Sequence, residues 1–294
     1  MKIINIRILC AVAILGLLGS MACKKKDTSP PDPGPDDQVL RAIHRNGVLS
    51  DSFYYNKRQQ VTHYKHFNIA GEIEMHSDMT YDNAGQLIST SSYLRNDLIA
   101  KDQITTTANQ MSVVGNMYIP GSTVSRSYTT ILKFDNAGRL ISMLDSMHFS
   151  RDFNGISYIG WVDISNRKYD NDKMILFETE LISKRYDPTT PNIDTIISDV
   201  FTTRRFEYGD TPNKLYSLGK KNPYLLVVLT QSFNPFYAGS TNVTKTTIGN
   251  STSVFQDIDF TSGFYVRTRK ETTTTNGLTS TTNWQFYYSP VSGL

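Results

Sequence analysis

The side chains able to do chemistry are few and scattered. The five histidines are His44, His63, His66, His76 and His148, and a pair of imidazoles makes a metal or proton-transfer site only where both rings reach one point. His63 and His66 stand three apart. On a strand, where side chains alternate, they point to opposite faces, so this pair is not expected to bind a metal. His76 and Asp78 share a face and read as solvated polar neighbours. Asp82, Asp135 and Asp170 each stand where a chain reversal needs an acceptor, which reads as turn chemistry rather than catalysis. Asp170-Asn171-Asp172 lacks the downstream glycine and glutamate of a calcium loop. No G-x-S-x-G, H-E-x-x-H, P-loop or dinucleotide-binding glycine pattern occurs. The expectation is therefore no catalytic residue, no metal and no cofactor. Aromatic runs are better binding candidates. In Phe53-Tyr54-Tyr55 and Phe286-Tyr287-Tyr288 a strand must send consecutive rings to both faces, so Tyr54 and Tyr287 are candidate ligand-facing platforms for a sugar ring or an apolar molecule.

The elements that would position these groups are strands. Seventeen Tyr and 14 Phe in 294 residues, with abundant Thr, suit pleated sheet better than helix. A short pattern recurs: an aromatic, Asp or Asn, small or polar residues, a residue able to take positive φ, a spacer and an aliphatic. Tyr81-Asp82-Asn83-Ala84-Gly85-Gln86-Leu87 and Phe134-Asp135-Asn136-Ala137-Gly138-Arg139-Leu140 are its best copies. Looser ones begin at Tyr55, Tyr169, Phe206 and Phe260. In each the acid accepts from backbone amides of a tight turn and the glycine supplies a left-handed residue, which makes Asp82, Gly85, Asp135 and Gly138 hairpin residues. Flanking segments alternate: Thr129, Ile131 and Lys133 face one way, Thr130, Leu132 and Phe134 the other. The fold expected over residues 38–294 is all-β, a single large curled antiparallel meander sheet, open or barrel-like. Val39 to Ile43 with Asn46-Gly47 reads as a first strand and its turn. Tyr224 to Leu229 reads as a buried strand or a short helix plugging one end of the sheet. Lys133, Arg139, Arg204, Arg267 and Arg269 are expected on outward faces, without an apolar band between aromatic girdles, which argues against a membrane-spanning barrel.

Ahead of this body, Lys2 and Arg7 precede the apolar run Ile8 to Leu18, too short to span a bilayer of about 30 Å and of the length of a signal-peptide core. Gly19-Ser20-Met21-Ala22-Cys23 follows and resembles the lipobox of bacterial lipoproteins, which implies cleavage after residue 22 and lipidation of Cys23. Ser20 stands where that motif usually has Leu, and an ordinary secretory signal cut after Ala22 is the alternative. Residues 23–37, with four prolines and no large apolar side chain, read as a disordered lipidated tether. Loss of Cys10 with the signal leaves one cysteine and no intramolecular disulfide. Loss of Lys2 and Arg7 leaves a nearly neutral chain without a basic stripe, so nucleic acid is not an expected partner.

The copies YDNAGQLIST and FDNAGRLISM resemble the tyrosine-aspartate (YD) repeats of bacterial envelope proteins. With the lipobox, FEYGDTPNKL and STNVTK, the chain is similar to Bacteroidota lipoproteins assigned to a domain of unknown function with a porin-like fold. The resemblance implies a curled, porin-like sheet on a lipid anchor, held at the outer membrane on the periplasmic or surface side. It implies no activity. The function expected is a non-enzymatic binding or structural module of the cell envelope, with the membrane as partner through Cys23 and a glycan or apolar small molecule as ligand. The alternatives are a glycan-active hydrolase using concave-face carboxylates, or a carrier of an apolar ligand.

Overall fold

The computed structural model describes residues 38–118, 125–153, 156–186, 194–221, 238–261, 263 and 265–293. Its strands are β1 (Gln38–Arg45), β2 (Val48–Tyr55), β3 (Val61–Phe67), β4 (Ile73–Tyr81), β5 (Leu87–Leu94), β6 (Asp97–Thr106), β7 (Gln110–Tyr118) and β8 (Ser125–Phe134). They continue as β9 (Leu140–Phe153), β10 (Ile156–Asp170), β11 (Lys173–Tyr186), β12 (Asp194–Pro212), β13 (Thr241–Ile248), β14 (Ser251–Phe260), β15 (Val266–Thr275) and β16 (Leu278–Pro290). Each strand pairs antiparallel with its chain neighbours, and β1 pairs with β16 from Gln38↔Pro290 to Arg45↔Trp284, which closes the meander into a barrel. The sheet is thus barrel-like rather than open, and β1 is a strand. Cys23, the tether and Tyr224 to Leu229 lie outside the described residues.

Because the meander is antiparallel, every even-to-odd connection falls at one rim, here the turn rim. The copies at Tyr55, Tyr81, Phe134 and Tyr169 all lie there, one per two strands. In both DNAG turns the glycine is left-handed, with φ of 86° at Gly85 and 73° at Gly138. Asp82 Oδ1 accepts from the Gln86 amide at 2.8 Å. Asp135 Oδ1 accepts from the amides of Ala137 and Arg139, both at 2.9 Å. Adjacent turns are laced together: Arg58 donates to the Asn83 carbonyl at 2.9 Å, and the Arg139 guanidinium donates to the carbonyl of Asn171. A further copy, Phe67-Asn68-Ile69-Ala70-Gly71-Glu72-Ile73, builds the same turn at the far rim, with Gly71 at φ 79° and Asn68 Oδ1 accepting from Ala70 and Glu72. Around Phe206 the structure departs from the sequence expectation: β12 runs on through Pro212. Asn213 then caps α1 (Lys214–Lys221), its Oδ1 accepting from the Leu215 amide at 3.1 Å.

A bulge follows the first aliphatic of most odd strands. The register skips Arg41, Thr62, Ile88, Ile141, Ile175, Thr244 and Arg267, each the residue after that aliphatic or, at Arg41, after Leu40. A skipped residue shifts the alternation by one, so inward residues at these strand starts are three apart: Leu40 and Ile43, Val61 and Tyr64, Leu87 and Thr90, Met174 and Phe177, Val266 and Arg269 are all buried. Beyond the bulge, backbone pairing with the next strand stops, and a tyrosine hydroxyl takes over. Tyr55 donates to Leu40 O (2.8 Å), Tyr81 to Val61 O (2.8 Å), Tyr169 to Leu140 O (3.0 Å), Tyr208 to Met174 O (2.7 Å) and Tyr288 to Val266 O (3.0 Å). Burial pushes these phenols up, to about 12 for Tyr81 and Tyr169, so they stay protonated donors.

Inside this rim lies an apolar floor. Leu40, Ile43, Phe53, Val61, Tyr64, Met79, Ile104, Val113, Leu132 and Phe286 form one buried cluster, which Leu215 of α1 joins; Met174, Phe177, Phe206, Val243 and Phe255 form a second. Two cations expected outside belong to this inner face. Arg269 follows the Arg267 bulge, so its alternation is inverted and it is only 2% exposed. Arg204 is the register partner of Phe177, which is buried. Tyr81→Phe and Tyr169→Phe each leave a buried carbonyl without its donor. Each should cost about 1–3 kcal/mol in urea unfolding, with nearly additive losses in the double variant because the sites are far apart. Unchanged midpoints would show that these hydroxyls do not support the rim.

Candidate functional site

The residues singled out from the sequence fall on three surfaces. Asp82, Gly85, Asp135 and Gly138 form the turn rim. Tyr54 and Tyr287 both face outward, 43% and 46% exposed, while their neighbours Phe53 and Phe286 are buried. They stand on β2 and β16 with β1 between them. Lys65 Nζ lies 5.2 Å from the Tyr54 ring centroid, and His44 packs against Tyr287 at 4.6 Å. His63 and His66 do diverge: His63 sits outside, 3.7 Å from Asp78, and His66 sits 3.0 Å from Asp51, which Tyr64 also binds from the buried side at 2.6 Å.

The arrangement that sequence reasoning passed over is a charged belt one layer above the apolar floor. Cross-strand partners share a face, and the register carries one row of inward residues from Thr90 to Asp102, Gly115 and Tyr128, with Thr130, Asp145 and Asp163 beside it. Asp102, 1% exposed, accepts from Thr90 Oγ1 at 2.5 Å and from the Tyr128 hydroxyl. Its reach to β8 passes over Gly115, where a Cβ would collide with the Asp102 carboxylate and the Tyr128 ring. A glycine inside a strand is the one sequence signal for this contact. Thr130 donates to Asp145 at 2.8 Å, and Asp163 is the direct cross-strand partner of Asp145. Burial raises both carboxyls above their usual range, and the charge of Asp145 raises Asp163 further. Cations share this inner face, Arg167 on the same strand as Asp163 and Arg269 within reach of the charge of Glu271 on β15. Arg167 lies 4.9 Å over Phe177 and Arg269 lies 3.9 Å over Phe255; burial lowers them to about 10 and about 9, still cations at neutral pH. Among the described residues no group of three His, Cys, Asp or Glu is placed to hold a metal.

On the outer surface, a cleft of about 440 Å³ lies between the β3–β4 and β5–β6 hairpins, lined in part by Lys65, Asn68, Glu72, Glu74, His76 and Arg95. His76 stacks flat on Tyr93, with centroids 4.5 Å apart and planes 8° off parallel.

No family model matches this chain, and no curated protein matches its sequence. Among solved structures it is similar to a porin-like protein from Bacteroides uniformis, at 10% identity over 77% of this chain and 89% of that chain, with a TM-score of 0.28. The barrel assignment rests on the strand pairing described above.

The shifted groups of the inner face all act in one sense, lowering stability as pH rises. Asp145 and Asp163 bind protons more readily folded than unfolded, so stability falls as pH rises from their unfolded value of about 3.9 through the raised folded values. The hydrogen bond from His66 to Asp51 raises the imidazole, so its contribution is complete below about 6.5 and is lost as pH rises through the folded value. Asp163→Asn should therefore stabilise the protein at pH 7 by up to about 1 kcal/mol, the scale of opposed like charges on paired strands, and the gain should vanish in acid. Calorimetry across this range checks it, and a gain that persists below pH 3 would contradict the charge origin.

Proposed function

We propose that this chain is a lipid-anchored, non-enzymatic binding module of the cell envelope, a water-facing barrel carried on a tether from Cys23. The observation that carries this reading is the outer face of the wall. Lys101, Gln103, Asn116, Lys133, Lys168, Arg205 and Glu207 are exposed on β6, β7, β8, β10 and β12. Lys245 pairs with Glu207 at 2.7 Å and Lys168 with Glu178 at 3.5 Å across neighbouring strands. A bilayer-spanning barrel presents an apolar band of about 25 Å there, and a Lys or Arg at its midplane costs about 2–4 kcal/mol. A barrel wet on its outside needs another means of staying at a membrane, and an acylated Cys23 on a proline-rich tether supplies one. Full-length protein should partition with membranes and resist carbonate extraction, whereas Cys23→Ala should be released as a folded barrel. Retention of that variant in the carbonate-washed pellet would overturn the anchoring.

The ligand this reading favours is polar. The floor is filled by packed side chains, and above it stand Asp102, Thr90, Thr130, Ser165 and Arg167, all buried on the inner face. A carrier of an apolar molecule would need the opposite lining. The hydrolase reading draws on the Asp145–Asp163 pair, since a retaining glycosidase holds two carboxyl groups about 5–5.5 Å apart. Release of reducing ends from oligosaccharides, abolished by both Asp145→Asn and Asp163→Asn, would favour it over the binding module.

A further inference from the structure

Among the described residues the far rim carries four two-residue hairpin turns, Asn46-Gly47, Arg95-Asn96, Gly249-Asn250 and Asn276-Gly277, whose first residues differ in one telling place. Asn46-Gly47 and Asn276-Gly277 have left-handed backbone at both residues, with φ of 52° and 81°, and 50° and 81°. This is the conformation for which Asn-Gly is the favoured pair. The β5–β6 turn, Arg95-Asn96, puts an arginine at the first position, with φ 56°. That region disfavours a long side chain, and Asn or Gly would relieve it. Both kinds of turn are fastened to the neighbouring strand in the same way: the Asn46 amide donates to Asn283 O and the Arg95 amide to Glu74 O, each at 2.7 Å. The turns differ at the second residue, left-handed at Gly47 and Gly277 but not at Asn96, and in where the first side chain goes. Asn46 folds back so that its Oδ1 accepts from the Asn283 amide at 2.8 Å, whereas Arg95 lines the cleft. Of the first residues of these four turns, all left-handed, only Arg95 carries a long side chain, and it lines a cavity, which marks a residue kept for the cavity.

The chemistry of the cleft specifies what it takes. Lys65 and Arg95 are balanced by Glu72 and Glu74, so the lining has no net charge with which to select an ion. Asn68 donates to Glu72 at 3.1 Å and holds its carboxylate in place. Arg95, Asn96 and Glu74 offer planar donors and acceptors, and His76, backed by Tyr93, offers a flat ring. Tyr54 extends the aromatic surface beneath Lys65. Planar polar groups around a ring platform match the alternating hydroxyls and C–H face of a pyranose, and the volume of about 440 Å³ falls within the range of small-molecule sites. The geometry points to this cleft as a binding site for a short neutral oligosaccharide, with Arg95 as its chief hydrogen-bond donor and the His76–Tyr93 pair as its stacking surface. This rests on the reading of the barrel as a binding module and names that module's ligand class.

The test uses the full chain in mild detergent, with maltose, cellobiose and N,N′-diacetylchitobiose as probes, each to about 20 mM because mM affinity corresponds to only about 4 kcal/mol of binding. Saturation-transfer NMR should detect at least one. Arg95→Asn should weaken that binding at least about tenfold, the scale of a charge-assisted hydrogen bond, while Tm stays the same or rises because Asn suits the left-handed turn. His76→Ala should weaken it as well and keep the fold. Absence of binding by all three sugars, or Arg95→Asn binding as well as the parent, would overturn the site. Binding accompanied by new reducing ends would support the site and instead contradict the non-enzymatic reading.

Discussion

The structure depends on how a backbone ladder ends. At the start of β1, β3, β9, β11 and β15 a bulge ends pairing on one side and leaves an inward carbonyl next to packed apolar side chains. An unpaired carbonyl in that position is expensive, and water is kept away by the side chains that make the floor. A phenol from the following strand meets the need with one hydroxyl and fills space with its ring. The aromatic of each repeat therefore does two jobs that phenylalanine does only by half: Phe134 and Phe260 pack against the buried cluster without such a bond.

The floor in turn makes the polar belt tenable. A barrel of sixteen strands is too wide for one layer of side chains to close it, and among the described residues the apolar packing lies at the turn rim, with Leu215 of α1 drawn into the cluster. Carboxylates lie on the inner faces of β2, β6, β9, β10 and β15 and guanidinium groups on β10, β12 and β15, so both signs share the interior, with Glu271 acting on Arg204 and Arg269. The cations are sheltered by ring faces, as Arg269 is by Phe255, and the carboxylates by hydroxyls, as Asp102 is by Thr90 and Tyr128. Outside, the wall carries exposed Lys, Arg, Glu and Gln side chains on β6, β8, β10 and β12.

Much of the fold was legible in the residue pattern because turn chemistry is local. Asp82, Gly85, Asp135 and Gly138 specify their own reversals within a few residues, and Thr130 and Leu132 are buried while Lys133 is exposed, as alternation requires. Closure was not legible, since the pairing of Val39 with Ser289 joins the two ends of the sheet and has no local signature. The facing of Arg269 was misread for a definite reason: simple alternation from Val266 sends it outward, and the bulge at Arg267 inverts it. The Phe67 to Ile73 turn fits the same pattern, with Asn68 in the place that Asn56 takes in an accepted copy, and was passed over. The belt was hidden because Asp102 and Tyr128 meet only across Gly115, on three different strands. Arg95 needed the φ of its turn in the structure before it stood out from Asn46 and Asn276.

The most direct measurement of this account is a pH titration of the protein carrying ¹³C-labelled tyrosine, followed by NMR with resonances assigned through single Tyr→Phe variants. Phenols that cap the ladder from inside the rim should resist ionisation, with Tyr81 and Tyr169 titrating only near pH 12, at the edge of unfolding. Titration of those two rings near the ordinary value of about 10, in a protein still folded, would mean that water reaches them and that the sealed rim does not exist.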